Sequence, residues 1–133
     1  MSYYLDVNIC IYFLRGTYPS LLRATLSLNP NTIKIPAIVA AELVLGAEKS
    51  SDSDKNMERV KKFLTPFEIT SFDMRAAFSY GKICSSLEKQ RVNIGPNNLI
   101  IAATVLSQNG ILITNNTKKF SRVENLVLED WTK

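Results

Sequence analysis

Asn97-Asn98-Leu99-Ile100-Ile101-Ala102-Ala103-Thr104-Val105-Leu106-Ser107-Gln108-Asn109-Gly110-Ile111-Leu112-Ile113-Thr114 is the stretch on which the fold turns. From Asn98, the residues Ile101, Ala102, Val105 and Leu106 follow at helical spacing and form one apolar stripe. Gly110 stops that helix. Ile111 to Ile113 then runs apolar without alternation, the pattern of a strand covered on both faces. Such strands belong to parallel sheets, because crossover helices are what cover both faces.

The flanking sequence repeats this helix–strand alternation. Towards the amino terminus, Gly95-Pro96 turns the chain into this helix. Asp73 caps a long helix to about Gln90, with Ala76, Ala77, Tyr80, Ile83, Cys84 and Leu87 on one side. Phe67-Glu68-Ile69 alternates as a strand, preceded by a charged helix with Val60, Phe63 and Leu64 inward. Ser50 to Asp54 is polar but too short to separate domains. Before it, Ile33-Lys34-Ile35 is a strand, and Pro36 opens a helix from about Ala37 to Lys49. Pro19 begins another helix. At the start, Tyr3-Tyr4-Leu5 is a short strand delivering Asp6 at its carboxyl end, and Asn8 is positioned to cap a helix to about Arg15, with Gly16 as its stop. Val127-Leu128-Glu129 is a last strand. The class is α/β: a mainly parallel sheet with helices on both faces.

Length and composition agree with one compact unit. The chain has 133 residues, 46% hydrophobic and 21% charged, enough for a core and too apolar for disorder. Neither a membrane-length apolar run nor a signal peptide is visible, which leads to the expectation of a cytoplasmic protein. Cys10 and Cys84 form no disulfide framework, and Cys10, between Ile9 and Ile11, is expected to pack. The chain has no histidine. That excludes histidine-based triads, histidine acid–base pairs and nearly every catalytic zinc site. Remaining chemistry must use carboxylates, hydroxyls, amides, lysines or a hard metal ion. A net charge of +4 suits a polyanionic partner and is equally common on ordinary proteins.

Four positions bear on function. Asp6 ends a strand in a parallel sheet, where functional groups gather, but it could also simply cap the following helix. Glu42 is the only polar side chain between Ala37 and Gly46. A helix apolar all round is expected to be buried, so this anion needs either a Lys or Arg partner or a metal. Asn98 heads the stripe described above and is either a cap or a buried polar ligand. Thr114-Asn115-Asn116-Thr117 follows the buried strand, as a plain turn or as a set of oxygen donors. Taken together they make an oxygen-rich hole suited to Mg²⁺ or Mn²⁺, and hence to metal-assisted phosphodiester hydrolysis.

These segments resemble the ordered motifs of the PIN-domain ribonucleases. Leu5-Asp6-Val7-Asn8-Ile9-Cys10-Ile11, Ala41-Glu42-Leu43-Val44-Leu45-Gly46-Ala47-Glu48-Lys49-Ser50, Ile94-Gly95-Pro96-Asn97-Asn98-Leu99-Ile100-Ile101-Ala102-Ala103 and Thr114-Asn115-Asn116-Thr117-Lys118-Lys119-Phe120 carry the likeness. It extends over residues 1–133 as a single domain and is strongest to VapC-type toxins of bacterial toxin–antitoxin pairs. The resemblance implies a three-layer PIN-like sandwich around a five-stranded parallel sheet. It implies an Mg²⁺/Mn²⁺-dependent endoribonuclease, usually a homodimer, that cuts structured RNA, tRNA foremost, and is neutralised by a VapB-like antitoxin. By position, Asp6 and Glu42 match the first two family acids, Asn98 stands at the third, an aspartate in the family, and Asn116 lies in the fourth motif. Asp6, Glu42 and Asn98 are thus the implied metal ligands, and these with Asn116 the catalytic set.

The departures imply reduced activity. Asn98 replaces a carboxylate oxygen by an NH₂ group, Lys119 stands where many relatives carry an acid, and Val7 replaces the usual threonine. The alternative is a catalytically dead PIN-like protein that binds RNA or its antitoxin. A nucleotide-binding domain is disfavoured because the glycines are scattered and form no phosphate loop. Lys118, Lys119 and Arg122 are candidate RNA contacts. Lys55, Arg59, Lys61 and Lys62 also qualify but read more simply as a solvated helix face. Exposed apolar groups for a dimer are expected on the third and fourth helices.

Overall fold

The computed structural model describes all 133 residues. In chain order it has β1 (Tyr3–Leu5), α1 (Val7–Arg15), α2 (Pro19–Leu26), a 3-10 turn (Pro30–Thr32), β2 (Ile33–Pro36), α3 (Ala37–Glu48), α4 (Ser53–Leu64), β3 (Glu68–Thr70), α5 (Met74–Gln90), α6 (Pro96–Ser107), β4 (Ile111–Ile113), α7 (Thr117–Phe120) and β5 (Val127–Glu129). The strands form one five-stranded sheet in the order β3-β2-β1-β4-β5. Every pairing is parallel, with Tyr3 opposite both Ile33 and Ile111, and Leu5 opposite Ile113.

Consecutive residues of a strand face opposite sides of a sheet. Tyr4 and Leu5 are both buried, and so are Ile111, Leu112 and Ile113, so both faces are covered. The result is a three-layer α/β sandwich. Its core is one cluster that includes Leu5, Ile9, Ile35, Val39, Ile101, Val105, Leu112 and Phe120. On the outer side of β2, Lys34 pairs with Glu68 of β3 at 2.7 Å.

The chain runs outward from β1 through β2 to β3, then returns to β4 on the other side of β1. The direction of winding therefore reverses between β1 and β4, which opens a crevice at their carboxyl ends. Asp6 and Thr114 immediately follow these two strands.

Local details differ from expectation in three places. The cap of α1 is Asp6, whose Oδ1 accepts from the Val7 N–H at 2.8 Å, rather than Asn8. Pro36 closes β2 and precedes α3 instead of sitting in its first turn. Helix α3 is not buried all round: Val44 and Leu45 are 41% and 56% exposed, while Val39, Leu43 and Ala47 face the core. An unbroken apolar run carries no periodic signal, so it could not reveal which side faces water.

Candidate metal and active site

The site is built on β1 and β4. Asp6 continues the β1–β4 ladder with its backbone, its N–H donating to the Ile113 carbonyl at 2.9 Å. The residue is only 3% exposed. Oδ1 accepts from Val7, and Oδ2 accepts from the Thr114 hydroxyl at 2.7 Å. Thr114 is itself fully buried and accepts the Asn116 N–H at 2.9 Å. Asn115 donates through Nδ2 to the Tyr12 hydroxyl at 3.0 Å, tying the loop after β4 to α1. Asp6 thus caps α1 with one carboxylate oxygen while the other is held by Thr114 at the carboxyl end of the sheet.

Glu42 reaches the same crevice from α3. Burial raises its pKa above the ordinary carboxylate value, the Asn97 side chain hydrogen-bonding to it pulls the other way, and the charge on Asp6 raises it further. Asp6 is raised as well, by burial, against the lowering effect of Thr114 and Val7. The charge on Asp6 is thus felt at Glu42, although 36 residues of chain and a different strand separate their origins. Neither has a cationic partner, since the salt bridges of the molecule are Lys34–Glu68 and Arg75–Asp73. The buried ion pair considered for Glu42 is absent.

Asn98 is half-buried on the first turn of α6. Its Nδ2 donates to the Ile94 carbonyl at 2.7 Å, which leaves Oδ1 for another partner. An aspartate in the same rotamer would set one carboxylate oxygen against that carbonyl and would have to turn away. Asn116 contributes its backbone N–H to the network around Thr114 and is half-buried. Lys118 and Lys119 are exposed on α7, just beyond it. Arg122 instead lines a cavity with Leu106, eight residues along α6 from Asn98, or about 12 Å along the helix axis.

No cluster of three or more acidic, cysteine or histidine groups suited to a metal occurs in the molecule. Asp6 and Glu42 offer carboxylate oxygens, and Asn98 on the neighbouring α6 offers an amide oxygen. An all-oxygen set with two unneutralised charges fits a hard divalent cation and no softer metal. Cys10, fully buried behind Asp6, has its thiol pushed far above the ordinary range by burial and by that carboxylate, so it packs and does not ligate.

One positioning group escaped the sequence: Thr114 was legible only as one oxygen among several, and its orientation of Asp6 depends on a contact across 108 residues.

A PIN domain family model matches residues 3–126. The chain is similar to Ribonuclease VapC2 of Rickettsia felis, 40% identical over 135 residues and covering 100% of both. It is 33% identical over 132 residues to the tRNA(fMet)-specific endonuclease VapC of Shigella flexneri, covering 99% of both. The crystal structure of VapBC2 from Rickettsia felis bound to a DNA fragment from their promoter contains a chain that superposes with a TM-score of 0.91 at 39% identity, covering 98% of this chain and 99% of that one.

Proposed function

Because the chain belongs to the PIN-domain family, we propose that it is a VapC-type endoribonuclease toxin that uses Mg²⁺ or Mn²⁺ and is restrained by a VapB-like antitoxin. The observation that carries this is a pair of carboxylates within electrostatic reach of each other and without a cation, near the switch point of a parallel sheet. Structured RNA, with tRNA foremost, is the proposed substrate, in line with the name of the Shigella relative. The cytoplasm, where tRNA is found, is the proposed place of action.

Asp6 and Glu42 would hold the ion, with Asn98 Oδ1 as a third protein donor. When bound, the ion supplies a water-derived nucleophile and offsets charge on the phosphate. Thr114 keeps Asp6 in one orientation, so its outward lone pairs stay aimed at the crevice. Asn116 supports Thr114 from behind. Lys118 and Lys119 are placed to take phosphates of the RNA, while Arg122 would contact RNA only on a more distant flank.

Asn98 favours a second reading, of a chain that binds RNA or antitoxin and cuts slowly or not at all. Its NH₂ group is committed to Ile94, and its oxygen carries no formal charge.

A tRNA cleavage assay with Mg²⁺ or Mn²⁺ separates the readings. Asn98→Asp should cut faster than the unaltered chain by at least about tenfold, the least that disturbing a metal's surroundings usually costs. EDTA and Asp6→Asn should abolish cutting in both backgrounds. Absence of cleavage in every background, with Mn²⁺ bound, leaves the binding-only reading.

A homodimer is part of the proposal. Val44 and Leu45 on α3 and Phe72, Met74 and Phe78 around the start of α5 are exposed apolar groups of the kind that subunit contacts cover. The fourth helix, expected to share this role, has no large exposed apolar residue; α5 has them instead.

A further inference from the structure

Beside the acidic pair lies a cavity of about 400 Å³ between α1, α3 and α4. Ile11, Leu14, Leu43, Ala47 and Val60 give it an apolar floor, and Glu42 joins it to the crevice. Arg15, Arg59, Asn56 and Ser50 supply its polar groups. Neither arginine has a carboxylate partner. Arg59 donates one long hydrogen bond, 3.4 Å, to the Leu14 carbonyl, which draws its guanidinium over the cavity and leaves its other donors open. The Asn56 amide is steadied by donating to the Ser50 hydroxyl at 2.9 Å. Lys55, Lys61 and Lys62 of the same helix do not line the cavity, whereas Arg59, exposed as a solvated face requires, stands at its rim.

Gly46 forms part of the wall, one helical turn beyond Glu42. A glycine within a helix weakens it, and here no atom of the chain lies within 4 Å of where its Cβ would be. The space is therefore required by no neighbour in the fold.

We propose that this cavity is a nucleotide subsite next to the scissile phosphate: an unstacked nucleotide of the RNA places its base on the apolar floor, while Arg15 and Arg59 hold its phosphate. The inference rests on the RNA-cleavage reading and deepens it. RNA is favoured over a protein segment because the cavity shares Glu42 with the crevice, so a strand leaving the metal enters it directly. Two free guanidinium groups beside an apolar floor also suit a base with its phosphate, and RNA is read largely through such splayed-out bases. Asn56 is the group placed to read the base edge, which makes it the specificity-determining residue. The charge on Glu42, the one anion lining the cavity, would be taken up by the bound cation.

Fluorescence anisotropy with a labelled tRNA tests this on Gly46→Leu, which fills the cavity, and on the double change Arg15→Gln with Arg59→Gln. Both should bind tRNA more weakly by about tenfold or more, and the double change should flatten the salt dependence by about 0.7, the contribution of the one single-strand phosphate the pair holds. Arg15→Lys with Arg59→Lys should restore the slope. Circular dichroism and Mn²⁺ titration should be unchanged in all of them, and Gly46→Ala, which stiffens α3 while leaving the cavity open, should bind as the unaltered chain does. Unchanged affinity and slope in both cavity variants overturn the subsite. Loss of poly-glutamate binding in the same variants, with tRNA binding intact, also overturns it and marks a surface for an acidic protein segment. The wider reading fails separately, through absence of cleavage in Asn98→Asp with Mn²⁺ bound. Cleavage in that background, with KM unmoved by Gly46→Leu, overturns the subsite alone.

Discussion

Asp6 and Glu42 hold their protons above the ordinary carboxylate range, chiefly because burial penalises their charged forms. The folded chain thus binds protons that the unfolded chain releases. Whatever stability the pair confers is complete below the ordinary carboxylate pKa and is lost as pH rises through the raised values. In urea denaturation of metal-free protein, Glu42→Gln should therefore gain on the unaltered chain as pH is raised from the acid range towards neutrality. A constant difference between the two would refute the linkage. Mn²⁺ at about a hundredfold above its Kd should add roughly 2.7 kcal/mol to the unaltered chain, and Glu42→Gln should lose most of that increment. At this scale the sequence was informative about identity and silent about partnership. It singled out Glu42 as a lone acid in an apolar run, but whether a cation from the chain neutralised it depended on where distant arginines fell.

Among the elements, β4 and α6 were the most legible, since a strand buried on both faces and a helix with one stripe leave few alternatives. Helix α3 was the least, because residues Ala37 to Gly46 offer apolar groups in every direction and only packing chose Val39, Leu43 and Ala47 as the inner side. The join between α6 and β4 depends on Gly110. A Cβ there would overlap the ring of Tyr4, which is buried on β1, and would crowd the Ser2 carbonyl at 3.2 Å. Gly110→Ala should destabilise the protein by about 1–3 kcal/mol, as overpacking of a well-filled site does. Tyr4→Leu, by removing the ring, should recover part of that loss. Urea midpoints of the two single variants and the double variant measure the coupling; strict additivity would show that the ring is not the obstacle.

For the whole molecule, the apolar surface on α3 and α5 is the feature left unsatisfied. Met74 and Phe78 are 68% and 69% exposed, a costly arrangement for a chain that stays alone in water. Leu45→Asp together with Phe78→Asp should convert the proposed dimer to a monomer in light scattering, with little change in the circular dichroism of the fold. A monomeric unaltered chain would remove the basis for the dimer. The sheet also orders events in time. Its middle strand is the first made, yet the flanking strand that supplies Thr114 comes after more than four-fifths of the chain. The Asp6–Thr114 bond spans 108 residues. A polypeptide still being synthesised can hold early helices, but it cannot assemble this crevice until nearly all of it has emerged. Whatever chemistry the crevice performs is in this way withheld until synthesis is almost complete.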